Sequence, residues 1–155
     1  MPHGRYTKSL PKNVDYSLTE RERAIRAAAF IDGEGCIMVG MAGKRLDVFV
    51  VIASTTPPLI QWMQDNFGGS IFTRQTRGNR KLCQSWKVSS AAAEYCLEIV
   101  TPYLLVKQLQ ALNALQFRAA CFANASNAIE NQVDLTLFYR KSSELNNSLS
   151  QKQRY

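Results

Sequence analysis

The stretch Arg26-Ala-Ala-Ala-Phe-Ile-Asp-Gly-Glu-Gly-Cys36 decides the fold that the sequence predicts. Small and apolar residues recur in it and just before it at three- and four-residue steps, which predicts a helix whose small face allows a second helix to approach closely. Ser17 is expected to cap this helix, because Glu20 follows at the capping-box spacing. The residues Asp-Gly-Glu-Gly at 32–35 are expected to end it, and a strand is expected to follow.

The two carboxylates at the end of this helix need a compensating positive charge, because the C-terminal end of a helix disfavours negative charge. A bound divalent cation would supply that charge, since Glu34 and nearby backbone carbonyls are hard oxygen ligands of the kind magnesium takes. For an isolated stretch of these four residues, the simpler interpretation is a glycine-terminated helix whose acids face water.

The whole chain predicts an α+β domain with the element order α-β-β-α-β-β-α-α. A basic arm at 1–16 precedes a single domain at 17–155. Strands are expected at 36–42, 46–55, 70–76 and 82–89, and the last four helices near 57–67, 90–100, 104–122 and 133–145. The helix at 104–122 is predicted to be amphipathic through Leu105, Leu109, Leu112 and Leu115. Helices on one face of the sheet would leave its other face free.

Positive charge is concentrated in the predicted strands. The net charge is +7, and residues 44–87 carry seven basic residues against two acidic ones. A solvated charged face is one interpretation, but a free, basic sheet face also fits a major groove, where alternating side chains reach base edges. Strand alternation gives the candidate DNA-binding residues Arg45, Asp47, Thr73, Gln75, Arg77, Ser85 and Lys87.

Composition excludes several other classes of protein. His3 is the only histidine, and the four cysteines contain no C-x-x-C pair, so a zinc site and histidine-based nuclease chemistry are not expected. No apolar segment long enough to span a membrane is found, and no secretory signal is expected. Widely spaced thiols fit a reducing compartment. General base chemistry is therefore left to a carboxylate, a lysine or metal-bound water.

The stretch at 26–36 resembles the LAGLIDADG motif of homing endonucleases, although Ala27 and Ala29 stand where the motif has Leu and Gly. A second, distant stretch also resembles single-motif members of that family. It runs Pro102-Tyr-Leu-Leu-Val-Lys107 and places a lysine five residues after a proline. The resemblance implies the LAGLIDADG fold, αββαββα with an additional C-terminal helix and a saddle-shaped antiparallel sheet.

The resemblance also implies a function. It implies a site-specific endonuclease that makes a double-strand break in a long, roughly palindromic DNA duplex by phosphodiester hydrolysis. Glu34 and the Gly33 carbonyl would hold Mg²⁺ or another divalent cation such as Mn²⁺, Lys107 would support the active site, and Ser54 or the adjacent Thr55 would hold water. A single motif implies a homodimer, with an interface predicted at Ala24, Ala28, Ala29 and Ile31.

Two alternatives keep some of these features. Proteins similar to this family also act as RNA maturases, with intron RNA as a partner, or as DNA-binding regulators that do not cleave. A general nucleic-acid-binding α/β module, with an accidental Asp-Gly-Glu-Gly, is the third interpretation. The chain is expected in an intracellular compartment that contains DNA, either an organelle such as a chloroplast or a mitochondrion or a bacterial or phage cytoplasm, and is not expected to be secreted.

Overall fold

The computed structural model describes residues 11–74, 78 and 81–152. Nine helices and strands of regular length follow one another in the described part, in the order α-β-β-α-β-β-α-α-α, which has one C-terminal helix more than the predicted order. They are α1 (Glu20–Glu34), β1 (Gly35–Ala42), β2 (Arg45–Ser54), α2 (Pro57–Phe67), β3 (Ser70–Arg74), β4 (Cys83–Ser89), α3 (Ser90–Val100), α4 (Gln108–Ser126) and α5 (Thr136–Lys152). Short 3-10 turns at Thr101–Tyr103 and Ile129–Asn131 precede α4 and α5.

The first helix begins two residues later than predicted. Its N-cap is Thr19, whose hydroxyl accepts a hydrogen bond from the Glu22 amide, while the Glu22 carboxylate accepts one from the Thr19 amide at 2.7 Å. Ser17 has the same spacing to Glu20, but its hydroxyl is bonded to Asp15 instead. The Asp15 amide in turn donates to Asn66 Oδ1 at 2.9 Å. Part of the predicted N-terminal arm therefore packs on α2.

The four strands form one antiparallel sheet in the order β1-β2-β4-β3. Val50 of β2 pairs with Ile37 of β1 and with Val88 of β4, which sets the register of the three strands. The second strand, which is apolar on both faces, therefore lies inside the sheet between β1 and β4. Side chains alternate between the two sides of a sheet, so this register assigns each strand residue to the helix-covered face or to the opposite one.

The hydrophobic core lies between the sheet and the helices. From the sheet, Val50, Ile52 and Trp86 face this core with no exposed surface. From the helices, Ile31 and Leu97 meet them. Trp86 also donates from Nε1 to the Gly68 carbonyl at 2.7 Å, so its one polar group is satisfied where α2 ends. The predicted inward face of β4 is thereby confirmed.

The buried face of α4 differs from the prediction. Leu105 and Leu109 are 89% and 62% exposed, and Leu112 is also exposed. The buried side of this helix combines small or polar residues, among them Ala111, Asn113 and Ala114, with the large Phe117. Asn113 donates from Nδ2 to the Phe138 carbonyl at 3.0 Å. α4 thus turns this side toward α5, which packs against it.

The last helix covers the free edge of β1. Ser142 Oγ accepts a hydrogen bond from the Val39 amide at 2.9 Å, and Asn146 Nδ2 donates to the Ile37 carbonyl at 3.0 Å. An uncovered edge strand invites pairing with other chains, so these two side chains satisfy backbone groups that another strand would otherwise take. Within the described residues, the helices are too short or too polar to cross a bilayer.

Candidate active site

The candidate site is centred on the C-terminal end of α1, residues 31–35, which we term the α1 tip. Glu34 is the last residue of α1 and is exposed, and Gly35 begins β1. The Gly35 amide closes the helix by donating to the Ile31 carbonyl. A Cβ on Gly35 would lie 2.8 Å from the Ile31 Cα and carbonyl oxygen. Glycine is therefore required for the chain to pass directly from α1 into β1.

Lys107 supplies a positive charge to the α1 tip. Its Nζ donates to the Ile31 carbonyl at 2.9 Å and to the Asp32 carbonyl at 2.5 Å. The Ile31 carbonyl also accepts from the Gly35 amide, whereas the Asp32 carbonyl lies in the last turn of α1, where the helix itself offers no hydrogen-bond donor. Burial lowers the pKa of Lys107, while the Asp32 carboxylate and Cys36 act in the opposite direction. The unfavourable helix end beside Glu34 is thus compensated partly by an ammonium group.

Asp32 binds the chain segment that carries Lys107. Its Oδ2 accepts from the Leu105 amide at 2.7 Å, and its Oδ1 accepts from the Val106 and Lys107 amides at 3.1 and 3.0 Å. Asp32 therefore braces the junction between α1 and the segment before α4. Three hydrogen bonds from backbone amides satisfy most of the lone pairs of this carboxylate. Glu34 is thus the acid that the α1 tip presents outward.

The donor set of the α1 tip fits a hard divalent cation in part. Glu34 offers an exposed carboxylate, and Gly33 lies in the last turn of α1, where backbone carbonyls have no intrahelical partner. Oxygen ligands of these two kinds suit Mg²⁺. No group of three or more His, Cys, Asp or Glu side chains in the described residues could hold a metal ion.

The predicted water-holding residue Ser54 does not lie at an open position. Its side chain is buried, and its Oγ accepts a hydrogen bond from the Thr56 amide at 3.2 Å. The register pairs Ser54 with Gln84 and places it on the core side of β2, together with Ile52. The prediction for Ser54 is therefore wrong, because this hydroxyl belongs to the turn into α2. The neighbouring Thr55 is exposed.

The predicted dimer face of α1 needs a similar correction. Ala24, Ala28 and Ile31 are buried in the core of their own chain, so they cannot contact a partner. Ala29 alone of the predicted set is exposed. It lies four residues from both Ile25 and Gly33, which are also exposed. Residues four apart share one face of a helix, so the outward stripe of α1 is Ile25, Ala29 and Gly33.

The sheet turns one face away from the core, here termed the open face. By strand register, Arg45, Ser85 and Lys87 of the predicted DNA-binding set lie on this face. Arg45 and Lys87 are exposed, and Ser85 is half-buried. Lys87 Nζ lies 4.2 Å from the centre of the Phe49 ring on the same face. The open face thus combines cationic groups with apolar ones.

Asp47 lies on the same strand, but its carboxylate is bound within the chain. Oδ1 accepts from the Val48 amide at 2.7 Å, and Oδ2 accepts from the Ser90 hydroxyl. Ser90 is the first residue of α3 and has a positive φ of 52°. A carboxylate beside a helix N-terminus is stabilised by the helix dipole. The structure therefore gives Asp47 a role in fixing the junction between β4 and α3.

The register of β3 corrects the prediction for Thr73 and adds Arg74 to the residues of the open face. Thr73 pairs with Gln84, two pairs along from the Ile71–Trp86 pair, and so lies on the same side of the sheet as the core. Its predicted place on the open face is wrong. Arg74 lies on the open face instead and is exposed. The alternation of Ile71 with Phe72 could not reveal this, because both are apolar. Gln75 and Arg77 lie outside the described residues.

No protein-family model and no curated protein matches the sequence. Solved structures do match its fold. One is the homing endonuclease I-CvuI in complex with its target in the presence of calcium, at 21% identity and a TM-score of 0.64. The match covers 81% of this chain and 83% of that one. The same endonuclease, in complex with the I-CreI target in the presence of magnesium, with the DNA not cleaved, matches at 18% identity and a TM-score of 0.60.

A third match is the archaeal intron-encoded homing endonuclease I-Vdi141I complexed with DNA. It has 14% identity and a TM-score of 0.54, and the match covers 83% of this chain and 99% of that one. Identities this low establish the fold and not the activity. The chain has the LAGLIDADG homing endonuclease fold, as the sequence predicts.

Proposed function

We propose that this chain is a homodimeric, divalent-cation-dependent DNA endonuclease that makes a double-strand break in a long, roughly palindromic target. The observation that carries the proposal is the α1 tip, where an exposed Glu34 carboxylate lies next to carbonyls bound by the Lys107 ammonium. The fold supports it, because I-CvuI and I-Vdi141I, which share that fold, were solved with DNA bound. The proposal places the chain in a compartment that contains its DNA target.

The open face is the proposed DNA-binding surface. Arg45, Arg74 and Lys87 can neutralise phosphates, which supplies the sequence-independent part of the affinity. Ser85 can bond to a base edge. Phe72 is 54% exposed on the same face, and an apolar group there suits the C5-methyl group of thymine. A sheet face of this composition therefore offers contacts both to the backbone and to bases of a major groove.

A second copy of the chain is the proposed source of the second cleavage site. Each copy presents one free carboxylate at its α1 tip, because Asp32 accepts hydrogen bonds from three amides. Two such tips side by side would provide one carboxylate for each DNA strand. The outward stripe of α1 (Ile25, Ala29 and Gly33) is the proposed contact. A Cβ on Gly33 would meet no atom within 4 Å in its own chain, so close approach of a partner helix accounts for this glycine.

In the proposed mechanism, Glu34 and the Gly33 carbonyl would hold the divalent cation. When bound, the cation supplies Lewis-acid stabilisation of the negative charge and lowers the pKa of water. The Lys107 ammonium adds positive charge at the same helix end, where the phosphate develops negative charge during hydrolysis. Asp32 keeps this ammonium against α1. The exposed Thr55 hydroxyl, beside the buried Ser54, is the available group for orienting water.

The test is a cleavage selection on a randomised palindromic DNA library, carried out separately with magnesium, with calcium and with a chelator. We expect discrete cuts at one long site with magnesium alone. Glu34→Gln should abolish those cuts while DNA binding persists, because the amide loses the charge but keeps the shape. Glu20→Gln, at the exposed opposite end of α1, is the matched control and should cut like the unmodified chain.

Two outcomes would contradict the proposal. Cleavage by Glu34→Gln at the unmodified rate would remove Glu34 from the metal site. Tight, saturable DNA binding with no cuts under any condition would instead favour the regulator or maturase alternative. Binding to intron RNA would then distinguish a maturase from a regulator. No binding to any DNA would refute the nucleic-acid interface itself.

A further inference from the structure

Asp32 and Lys107 bind each other's backbone across 75 positions of sequence. The Asp32 side chain accepts three hydrogen bonds from the backbone amides of residues 105–107, and the Lys107 side chain donates hydrogen bonds to the carbonyls of Ile31 and Asp32. We term this reciprocal set of bonds the α1–α4 clamp. Each residue thereby fixes the chain segment from which the other extends. Neither half of the clamp depends on a ligand.

The clamp determines where the ammonium lies. Lys107 is the N-cap residue of α4, and that helix start has no side-chain cap of its own. The amides just before α4 therefore rely on Asp32 for their hydrogen bonds. A lysine side chain has a flexible four-carbon stem, so the position of Nζ can be fixed only if the backbone at residue 107 is fixed. Two of the three Nζ donors are used by α1 carbonyls, and one is left for a further acceptor.

We propose that Asp32 is a positioning residue for Lys107, acting on the cleavage step through the α1–α4 clamp and not as a metal ligand. The proposal rests on the proposed endonuclease function. Misplacement of a catalytic group by about 1 Å can cost about 100-fold in rate. Loss of the Asp32 carboxylate frees the turn at 105–107 and with it the lysine. DNA affinity, which depends on the open face, is not expected to change.

The test is a double-mutant cycle on the full chain with Asp32→Asn and Lys107→Met, measured by single-turnover cleavage at saturating DNA. Asp32→Asn alone should lower the cleavage rate about 10- to 100-fold with the DNA dissociation constant unchanged. In the Lys107→Met chain, Asp32→Asn should add little further loss, because the group that it positions is gone. A purely structural role would lower the rate by the same factor in both backgrounds.

A matched control separates the clamp from general loss of a helix cap. Asp134 accepts a hydrogen bond from the Thr136 amide at 3.0 Å at the start of α5, far from the α1 tip in sequence. Asp134→Asn should leave the cleavage rate unchanged. Thermal unfolding of all variants identifies any chain that fails to fold, and Asp32→Glu, which keeps the charge, should restore part of the rate that Asp32→Asn loses.

Amide hydrogen exchange and the ¹⁵Nζ signal of Lys107 report on the clamp without requiring activity. Asp32→Asn should speed exchange at residues 105–107 and shift the Lys107 signal, whereas Asp134→Asn should do neither. If the unmodified chain cuts no DNA but these signals change, the endonuclease function fails and the clamp remains. If the chain cuts DNA and Asp32→Asn cuts equally fast, or if the two losses are additive, the positioning role is refuted.

Discussion

Leucine at position 29 is expected to weaken self-association without destabilising the folded chain. Ala29 is exposed on the outward stripe of α1, while its neighbour Ala28 is completely buried. An exposed substitution that breaks no specific interaction changes the free energy of unfolding by about 0.5 kcal/mol or less. In a two-fold dimer built on this stripe, however, both copies of the new leucine enter the contact.

The size of the effect follows from overpacking. Inserting extra methylene groups into a well-packed contact costs about 1–3 kcal/mol. Two symmetric insertions therefore cost about 2–6 kcal/mol, which raises the dimer dissociation constant about 30-fold to about 10⁴-fold. The same substitution at Ala28 acts inside one chain. It should lower the free energy of unfolding by about 1–3 kcal/mol and leave the contact between copies in place.

The assay combines sedimentation equilibrium, which gives the dimer dissociation constant, with denaturant unfolding, which gives the stability of each variant. Ala119→Leu, at an exposed alanine of α4, is the control for adding a leucine to a helix surface. The reasoning is refuted if Ala29→Leu associates as tightly as the unmodified chain. It is also refuted if Ala28→Leu weakens association while its free energy of unfolding is unchanged.

Two further predictions concern the ends of α1. Gly33→Ala should stabilise the isolated chain by about 0.5–1 kcal/mol yet weaken the dimer. Gly35→Ala should destabilise the chain, because its Cβ would lie 2.8 Å from Ile31 backbone atoms. Thermal unfolding at protein concentrations below and above the dimer dissociation constant tests both. The hydrogen bond from the Thr19 amide lowers the pKa of Glu22, so Glu22 should stabilise α1 above its unfolded pKa and lose this effect as the pH falls through the folded pKa. An acid titration followed by circular dichroism should show this loss, and Glu22→Gln should remove it.

Much of the fold follows from local sequence pattern. The helices Pro57–Phe67 and Ser90–Val100 have the predicted bounds, and β1, β2 and β4 lie within one residue of theirs. α4 begins and ends four residues later than predicted, and α5 ends seven residues later. The bounds that agree depend on periodicity and on glycine and proline positions, which act over a few residues.

The errors occur where the partner of a residue is distant in sequence. Leu109 belongs to a regular apolar pattern, but α5 packs on the other side of α4 and leaves this leucine exposed. The sequence pattern places Thr73 on the wrong face because Ile71 and Phe72 are both apolar. Only the pairing of Ile71 with Trp86 decides the register of β3. Ser54 has the residue type expected near an active site, but the turn into α2 uses its hydroxyl.

The sequence by itself determined most of the order of helices and strands and the acidic end of α1, and its resemblance to the LAGLIDADG family singled out Glu34 and Lys107. The tertiary structure alone decided that Lys107 reaches the carbonyls of α1, and that α1 presents Ala29 outward and Ala28 inward. The physical reason is that periodicity defines a helix face but not its neighbour. Which face becomes buried depends on packing between elements that are far apart along the chain.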